Sequence, residues 1–215
     1  MSKPKIFRKS FVTPVVVATF PNLNKPDKFD NYSVDVDLLQ HPGLADEIQA
    51  QADAVLAEAK EKLEVDKDPM NNLFRKGVIE KDGPRKGEEF FRASFKMKSE
   101  RKVKDKKVKQ RPRLVDAKRQ PMSELIYGGS KLKIAYDIQY TLMPTGAAYL
   151  SLKLNAVQVI EHVGPGGEKA ISDIFDEEEG FESSAATDAF EGNESDNETD
   201  SEESDGEPKK GGKYF

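Results

Sequence analysis

The chain has 215 residues with 34 Lys and Arg against 39 Asp and Glu, long enough for one ordinary domain and a tail. It has no cysteine, which excludes disulfides and thiolate metal sites. The net charge of -5 hides a division: residues 172–215 carry 16 acids and 3 bases, a net of -13, leaving a body with 31 bases and 23 acids, a net of +8.

In chain order, the N-terminus M-S-K-P-K-I-F-R-K-S-F is basic, but the V-V-V-A that follows is too short for a signal peptide or a membrane span. A soluble intracellular protein is expected. P-V-V-V-A-T-F (14–20) is β-branched, and Y-S-V-D-V-D-L (32–38) alternates, placing Tyr32, Val34, Val36 and Leu38 on one face of a strand. Residues 41–63 are rich in Ala, Glu and Lys, and Leu44, Ile48, Ala52, Val55, Ala59 and Leu63 recur at helical steps. Pro42 suits a first turn and Asp46 and Glu47 suit the positive end of a helix dipole. This segment predicts a helix lying as a lid on one open end of a barrel.

E-F-F-R-A-S-F-K-M-K (89–98) alternates again, with Phe91, Ala93, Phe95 and Met97 on one side and Phe90, Arg92, Ser94, Lys96 and Lys98 on the other. The run R-K-V-K-D-K-K-V-K-Q-R-P-R that follows is too charged for a core strand and reads as a loop with short strand edges. K-L-K-I-A-Y-D-I-Q-Y-T-L (131–142) turns at M-P-T-G-A and returns as Y-L-S-L-K-L-N-A-V-Q-V-I (149–160), a long hairpin. Lys131 and Lys133 lie opposite the apolar face of one arm, and Tyr149, Ser151 and Lys153 opposite that of the other. V-G-P-G-G-E-K (163–169) breaks the last apolar segment. Beyond it Ser, Asp, Glu, Asn and Gly dominate, a composition that cannot offset its ordering entropy and predicts a disordered acidic tail.

Some five strands, one inserted helix and Gly/Pro turns predict a mainly β domain over residues 1–165, with the tail over 166–215. The partly open five-stranded OB-fold is the small barrel whose outer face and loops hold single strands. Other barrels and sandwiches share the pattern.

Catalysis has little support. His41 and His162 are far apart in sequence without metal-ligand spacing, and no phosphate-binding, dinucleotide or nucleophile-elbow motif occurs. No enzyme, cofactor or metal is expected. Binding fares better, because residues 92–119 place 13 bases against Glu100, Asp105 and Asp116, and each phosphate neutralised by such a surface releases counterions. Aromatics sharpen the reading, since rings beside bases give a surface on which unpaired bases stack. Phe90 and Tyr149 have the outward phase and Tyr127 lies in the loop L-I-Y-G-G-S-K. Tyr136 is in phase with Leu132, Ile134 and Ile138, as a core residue would be, whereas Tyr140 could face outward if a bulge shifts the register.

The block G-G-S-K-L-K-I-A-Y (128–136), the hairpin end S-L-K-L-N-A-V-Q-V-I-E, K-I-F near the start, Y-S-V-D-V-D-L before the helix and a terminal phenylalanine after an acidic run resemble the single-stranded DNA-binding proteins of T7-type phages. The resemblance implies an OB-fold that binds single-stranded DNA without sequence preference in replication, recombination and repair. It implies a setting in the cytoplasm of an infected bacterial host, away from membranes, and is compatible with a homodimer. It implies DNA contacts from Lys131 and Lys133, from Arg92, Lys96 and Lys98, and from Tyr140, and a tail that meets the phage polymerase and helicase-primase. Two departures stand out: the hairpin has no tryptophan, and Lys209, Lys210 and Lys213 interrupt the tail.

A tail of this charge tethered to a cationic body can compete with DNA for the groove, and its end offers Tyr214 and Phe215 as aromatic anchors for a partner. The rival reading is an acidic-tailed RNA-binding protein, chaperone or scaffold.

Overall fold

The β-branched and alternating segments form strands, and the Ala-Glu-Lys segment forms a helix, in this computed structural model. The structure describes residues 3–81, 85–103 and 106–165; the segment 166–215 expected to form the tail, with Tyr214 and Phe215, lies outside the described residues. The strands are β1 (Lys5–Val12), β2 (Val16–Asn22), β3 (Asn31–Asp37), β4 (Phe74–Val78), β5 (Glu89–Lys98), β6 (Glu100–Val103), β7 (Lys106–Lys109), β8 (Arg113–Val115), β9 (Lys131–Leu142) and β10 (Ala148–Glu161), and helix α1 spans Leu44–Leu63.

Five strands close on themselves in the order β2-β3-β5-β10-β9 and back to β2. Every pairing in this ring is antiparallel except β5 with β10, which is parallel. That is the closed Greek-key ring of the OB-fold, with β1, β4 and β8 added at its margins and β6 and β7 forming a separate two-stranded ribbon. β1 and β2 are in effect one bent strand along β9: Val12 pairs with Ala135 and Val16 with Leu132. The one-residue excess over 13–15 is a bulge, where the Thr13 amide still donates to the Ile134 carbonyl at 3.0 Å and Pro14, which has no amide hydrogen, is tolerated.

Period two decides which side chains enter the barrel. Val34 and Val36 of β3, Ala93 and Phe95 of β5, Leu132, Ile134, Tyr136 and Ile138 of β9, and Leu150, Leu152 and Leu154 of β10 are all buried. Phe95 meets Tyr136 edge-to-face with ring centroids 4.9 Å apart. Helix α1 begins after Gly43, whose φ of +83° suits glycine, and buries Leu44, Ile48, Ala52, Val55 and Ala59. It packs against β1 and β9. The Tyr136 hydroxyl donates to Gln51 Oε1 at 2.7 Å and Lys5 Nζ donates to the Leu63 carbonyl at 3.1 Å. The helix thus covers the inward side of the β1–β9 extension.

Tyr140 faces into the barrel and not outward as expected. Its outward orientation required a bulge, but β9 pairs without interruption with β1 from Lys5↔Leu142 to Val12↔Ala135. The bulges of the hairpin fall in β10, between Leu154 and Ala156 and between Val159 and Glu161, too far along to turn Tyr140. Its side chain is 0% exposed and its hydroxyl donates to the Lys67 carbonyl at 2.9 Å, so neither ring face is available for stacking.

Candidate nucleic-acid interface

The outward face of β5 carries Phe90, Arg92, Ser94, Lys96 and Lys98 at successive alternate positions, as the period requires. Its neighbours are set by register: β3 places Asp37 opposite Arg92, Asp35 opposite Ser94, Ser33 opposite Lys96 and Asn31 opposite Lys98. On the other edge β4 places Gly77 opposite Phe90 and Arg75 opposite Arg92, and β10 places Lys153 beside Lys96. The result is a strip of roughly 27 Å along β5, counted at the rise of an extended strand.

One end of the strip is aromatic. A Cβ at Gly77 would lie 3.1 Å from Cζ of Phe90, so the absence of a side chain at residue 77 is what lets the Phe90 ring lie against β4. The Arg92 guanidinium sits 4.6 Å from the Phe90 ring centroid and 5.0 Å from that of Phe20. Phe20, in the irregular second half of β2, is 59% exposed and has a φ of +47°, in the left-handed region that bulky residues adopt only at a cost. Arg92 Nε and Nη2 and Ser94 Oγ are shielded from solvent and make no hydrogen bond among the described residues. Each such group forgoes about 1–3 kcal/mol, against which two cation–π contacts return about 0.5–2 kcal/mol apiece. Beside Phe90 a cleft of roughly 480 Å³ opens, lined by Leu39, Lys76, Gly77, Val78, Glu89 and Phe91.

The other end is cationic. Lys96 and Lys98 are exposed, and Lys98 Nζ donates to the Phe29 carbonyl at 3.0 Å. Burial, followed by the charges of Lys98, Arg8 and Lys96, holds the Lys153 ammonium below the usual lysine range. Asp137, opposite Lys153 on β9, is occupied elsewhere: it accepts from Ser10 Oγ at 2.6 Å and from Asn155 Nδ2 at 2.7 Å. An ordered row of cations with a depressed lysine is a surface that an added anion would relieve.

The structure therefore brings together Phe90, Arg92, Lys96, Lys98 and Lys153. Tyr149 projects from the same outward face of β10, 43% exposed. Lys131 pairs with Glu161 and lies opposite Val17 of β2, while Lys133 is half-buried opposite Gln158. Tyr127 is half-buried in the loop preceding β9, which Asn24, two residues past β2, holds by accepting from the Ile126 amide and donating to the Ser123 and Glu124 carbonyls.

Three participants escaped the sequence reading: Phe20, Gly77 and Asp35. Phe20 reads there as one more apolar strand residue, and only the Phe-Pro step (20–21), which disfavours helical backbone before proline, hints that its geometry is special. The basic run resolves into β6 and β7, a ribbon on which Arg101, Lys102, Lys106, Lys107 and Lys109 are exposed. Gln110 fastens its base to β5, its amide donating to the Ser99 carbonyl and its side chain to the Lys98 carbonyl.

His41 Nε2 accepts from the Val17 amide at 3.0 Å, and burial holds its pKa below the usual histidine range. His162 contacts the Leu125 carbonyl at 2.8 Å. Among the described residues no group of three His, Asp or Glu could hold a metal ion, and no helix is long and apolar enough to cross a membrane.

No protein-family model matches the chain, and no curated protein matches it. Two structures of the single-stranded DNA-binding protein from bacteriophage Enc34, one truncated at the C-terminus, each align with a TM-score of 0.48, at 18% and 19% identity, over 78% and 74% of this chain and 90% and 88% of theirs. The crystal structure of gp2.5, a single-stranded DNA-binding protein encoded by bacteriophage T7, aligns over 75% of this chain and 97% of its own with a TM-score of 0.52 and 21% identity. At that identity the shared property is the fold.

Proposed function

We propose that this chain is a single-stranded DNA-binding protein of the T7-type phage family, acting without sequence preference in replication, recombination and repair. The observation that carries the reading is the strip along β5: rings of Phe20 and Phe90 around Arg92 at one end, and Lys96, Lys98 and Lys153 at the other, on the outer face of a closed OB ring. Unpaired bases stack on the aromatic end while the cations track the backbone, at about 1–3 kcal/mol per stacked base. Tyr149, Tyr127, Lys131 and Lys133 extend the contact; Lys131 does so by exchanging Glu161 for a phosphate. No step of the reading requires catalysis.

The segment 166–215 acts in this proposal as an internal competitor. Its acids compete with DNA for the strip. When DNA displaces it, Tyr214 and Phe215 meet the phage polymerase and helicase-primase. The exposed ribbon of β6 and β7 is the one observation favouring the rival reading, since a charged ribbon without aromatics suits RNA or duplex as well as single strands.

One titration tests both. Tyrosine fluorescence with oligo-dT at two salt concentrations, with duplex DNA and RNA as competitors, should give preference for the unpaired strand and a steep loss with salt. A truncation after Gly167 should bind more tightly at low salt, with the gap closing as salt rises. Preference for duplex or RNA would overturn the single-strand reading, and equal affinity of the two chains would remove the competitor role.

A further inference from the structure

The unpaired groups at the aromatic end of the strip have a geometry of their own. Nε and Nη2 of Arg92, both without a partner, form one edge of the guanidinium, whose two N–H bonds run parallel. That fork fits two acceptors side by side: a pair of phosphate oxygens, or O6 and N7 of guanine. Asp35 discriminates between them. It projects from the outward face of β3 directly opposite Ser94 and diagonal to Arg92, within reach of a group bound between them. It is half-buried, and among the described residues its carboxylate has no hydrogen-bond or ion-pair partner. A carboxylate here repels a phosphate, but it accepts from N1–H and N2–H of a guanine whose O6 and N7 face the arginine. The Ser94 hydroxyl, also without a hydrogen-bond partner among the described residues, stands directly opposite Asp35 and next to Arg92 on the same face of β5.

We infer that Arg92, Ser94 and Asp35 read the edge of one unpaired guanine, giving a surface that otherwise tolerates any base a preference at one position. The inference rests on the strip being a single-strand surface, and adds base readout to it. Admission of a base requires a neighbour of the guanidinium to move. Phe90 is backed by Gly77, whereas Phe20 is exposed; Phe20 is therefore the ring with room to turn aside.

The test uses the full chain and labelled thymidine oligonucleotides of about 15 residues, a length matched to one OB-fold site, with a single central position varied. A central guanine should bind roughly tenfold tighter than thymine or adenine. 7-Deazaguanine, which lacks the N7 acceptor, should lose that advantage, and hypoxanthine, which lacks the N2 amino group facing Asp35, should lose part of it. Asp35→Ala should abolish the difference between guanine and hypoxanthine. Equal affinity for all central bases overturns the inference while leaving single-strand binding intact, and so does a guanine advantage that survives both 7-deazaguanine and Asp35→Ala. If Arg92→Lys weakens every oligonucleotide by the same factor, Arg92 is a backbone contact and the inference fails. Absence of binding to any oligonucleotide would overturn the single-strand reading itself. The base-analogue arms use the unaltered protein, so misfolding of a variant cannot imitate either result.

Discussion

The two faces of β5 obey opposite rules although they belong to the same ten residues. Inward, Phe91, Ala93, Phe95 and Met97 are buried or half-buried, and Phe95 is locked edge-to-face on Tyr136. Outward, Arg92 and Ser94 keep unpaired polar atoms, and Lys96 and Lys98 crowd Lys153. The inward face is satisfied and builds the barrel. The outward face is left short of partners among the described residues, which sets it apart from the interior rule that buried polar groups are paired.

The sharpest way to break the comparison is to interchange the expected consequences of the two faces. Phe95→Ala opens a cavity in the sheet-lined core and should cost about 3–5 kcal/mol of stability, measured by urea unfolding. Its effect on DNA affinity should follow only from the fraction unfolded. Replacing Lys96, Lys98 and Lys153 together by Gln should leave the unfolding midpoint near that of the parent chain. On single strands it should flatten the dependence of log affinity on log salt by about 2, three phosphate contacts at about 0.7 each. A variant in which the core change alters the salt slope, or the lysine changes alter mainly stability, would show that the two faces are not separable.

Period two made the division of β5 legible from sequence, because Phe90, Arg92, Ser94, Lys96 and Lys98 fall in phase without any tertiary information. The same rule placed Tyr136 in the core and could have placed Tyr140 there. An allowance for a bulge led elsewhere, and the bulges formed in β10, one of them where Asn155 donates to Asp137. What stayed hidden depends on register across strands far apart in sequence. Nothing in the string tells that Gly77 faces Phe90, that Asp35 faces Ser94, or that Lys153 arrives beside Lys96 across a parallel pairing. Phe20 was hidden for another reason, since its contact with Arg92 goes with one left-handed residue at the register shift within β2. β4 itself was missed because F-R-K-G-V is short and largely exposed, with only Phe74 packed inward on Phe91.

Lys153 sharpens the comparison at its finest point, because it is an outward residue whose surroundings disfavour its own charge. Burial, the largest cause, and then Lys98, Arg8 and Lys96 lower its pKa below that of the unfolded chain. The charged form is thus less favourable in the folded state, so this residue weakens the fold at pH values below its folded pKa. The penalty disappears as pH rises through the folded pKa toward the unfolded one. Lys153→Met keeps the aliphatic stem and removes the charge. Because the group is partly solvated, the gain in stability at neutral pH should be small, roughly 0.5 kcal/mol after screening, while affinity for single strands falls and the salt slope shrinks by about 0.7. The stability gain should vanish in alkaline buffer, where the parent lysine is itself neutral. If Lys153→Met is instead less stable at neutral pH, the ammonium is satisfied by Asp137 and the cationic end of the strip is a finished ion-pair network, with no unmet charge to draw a phosphate.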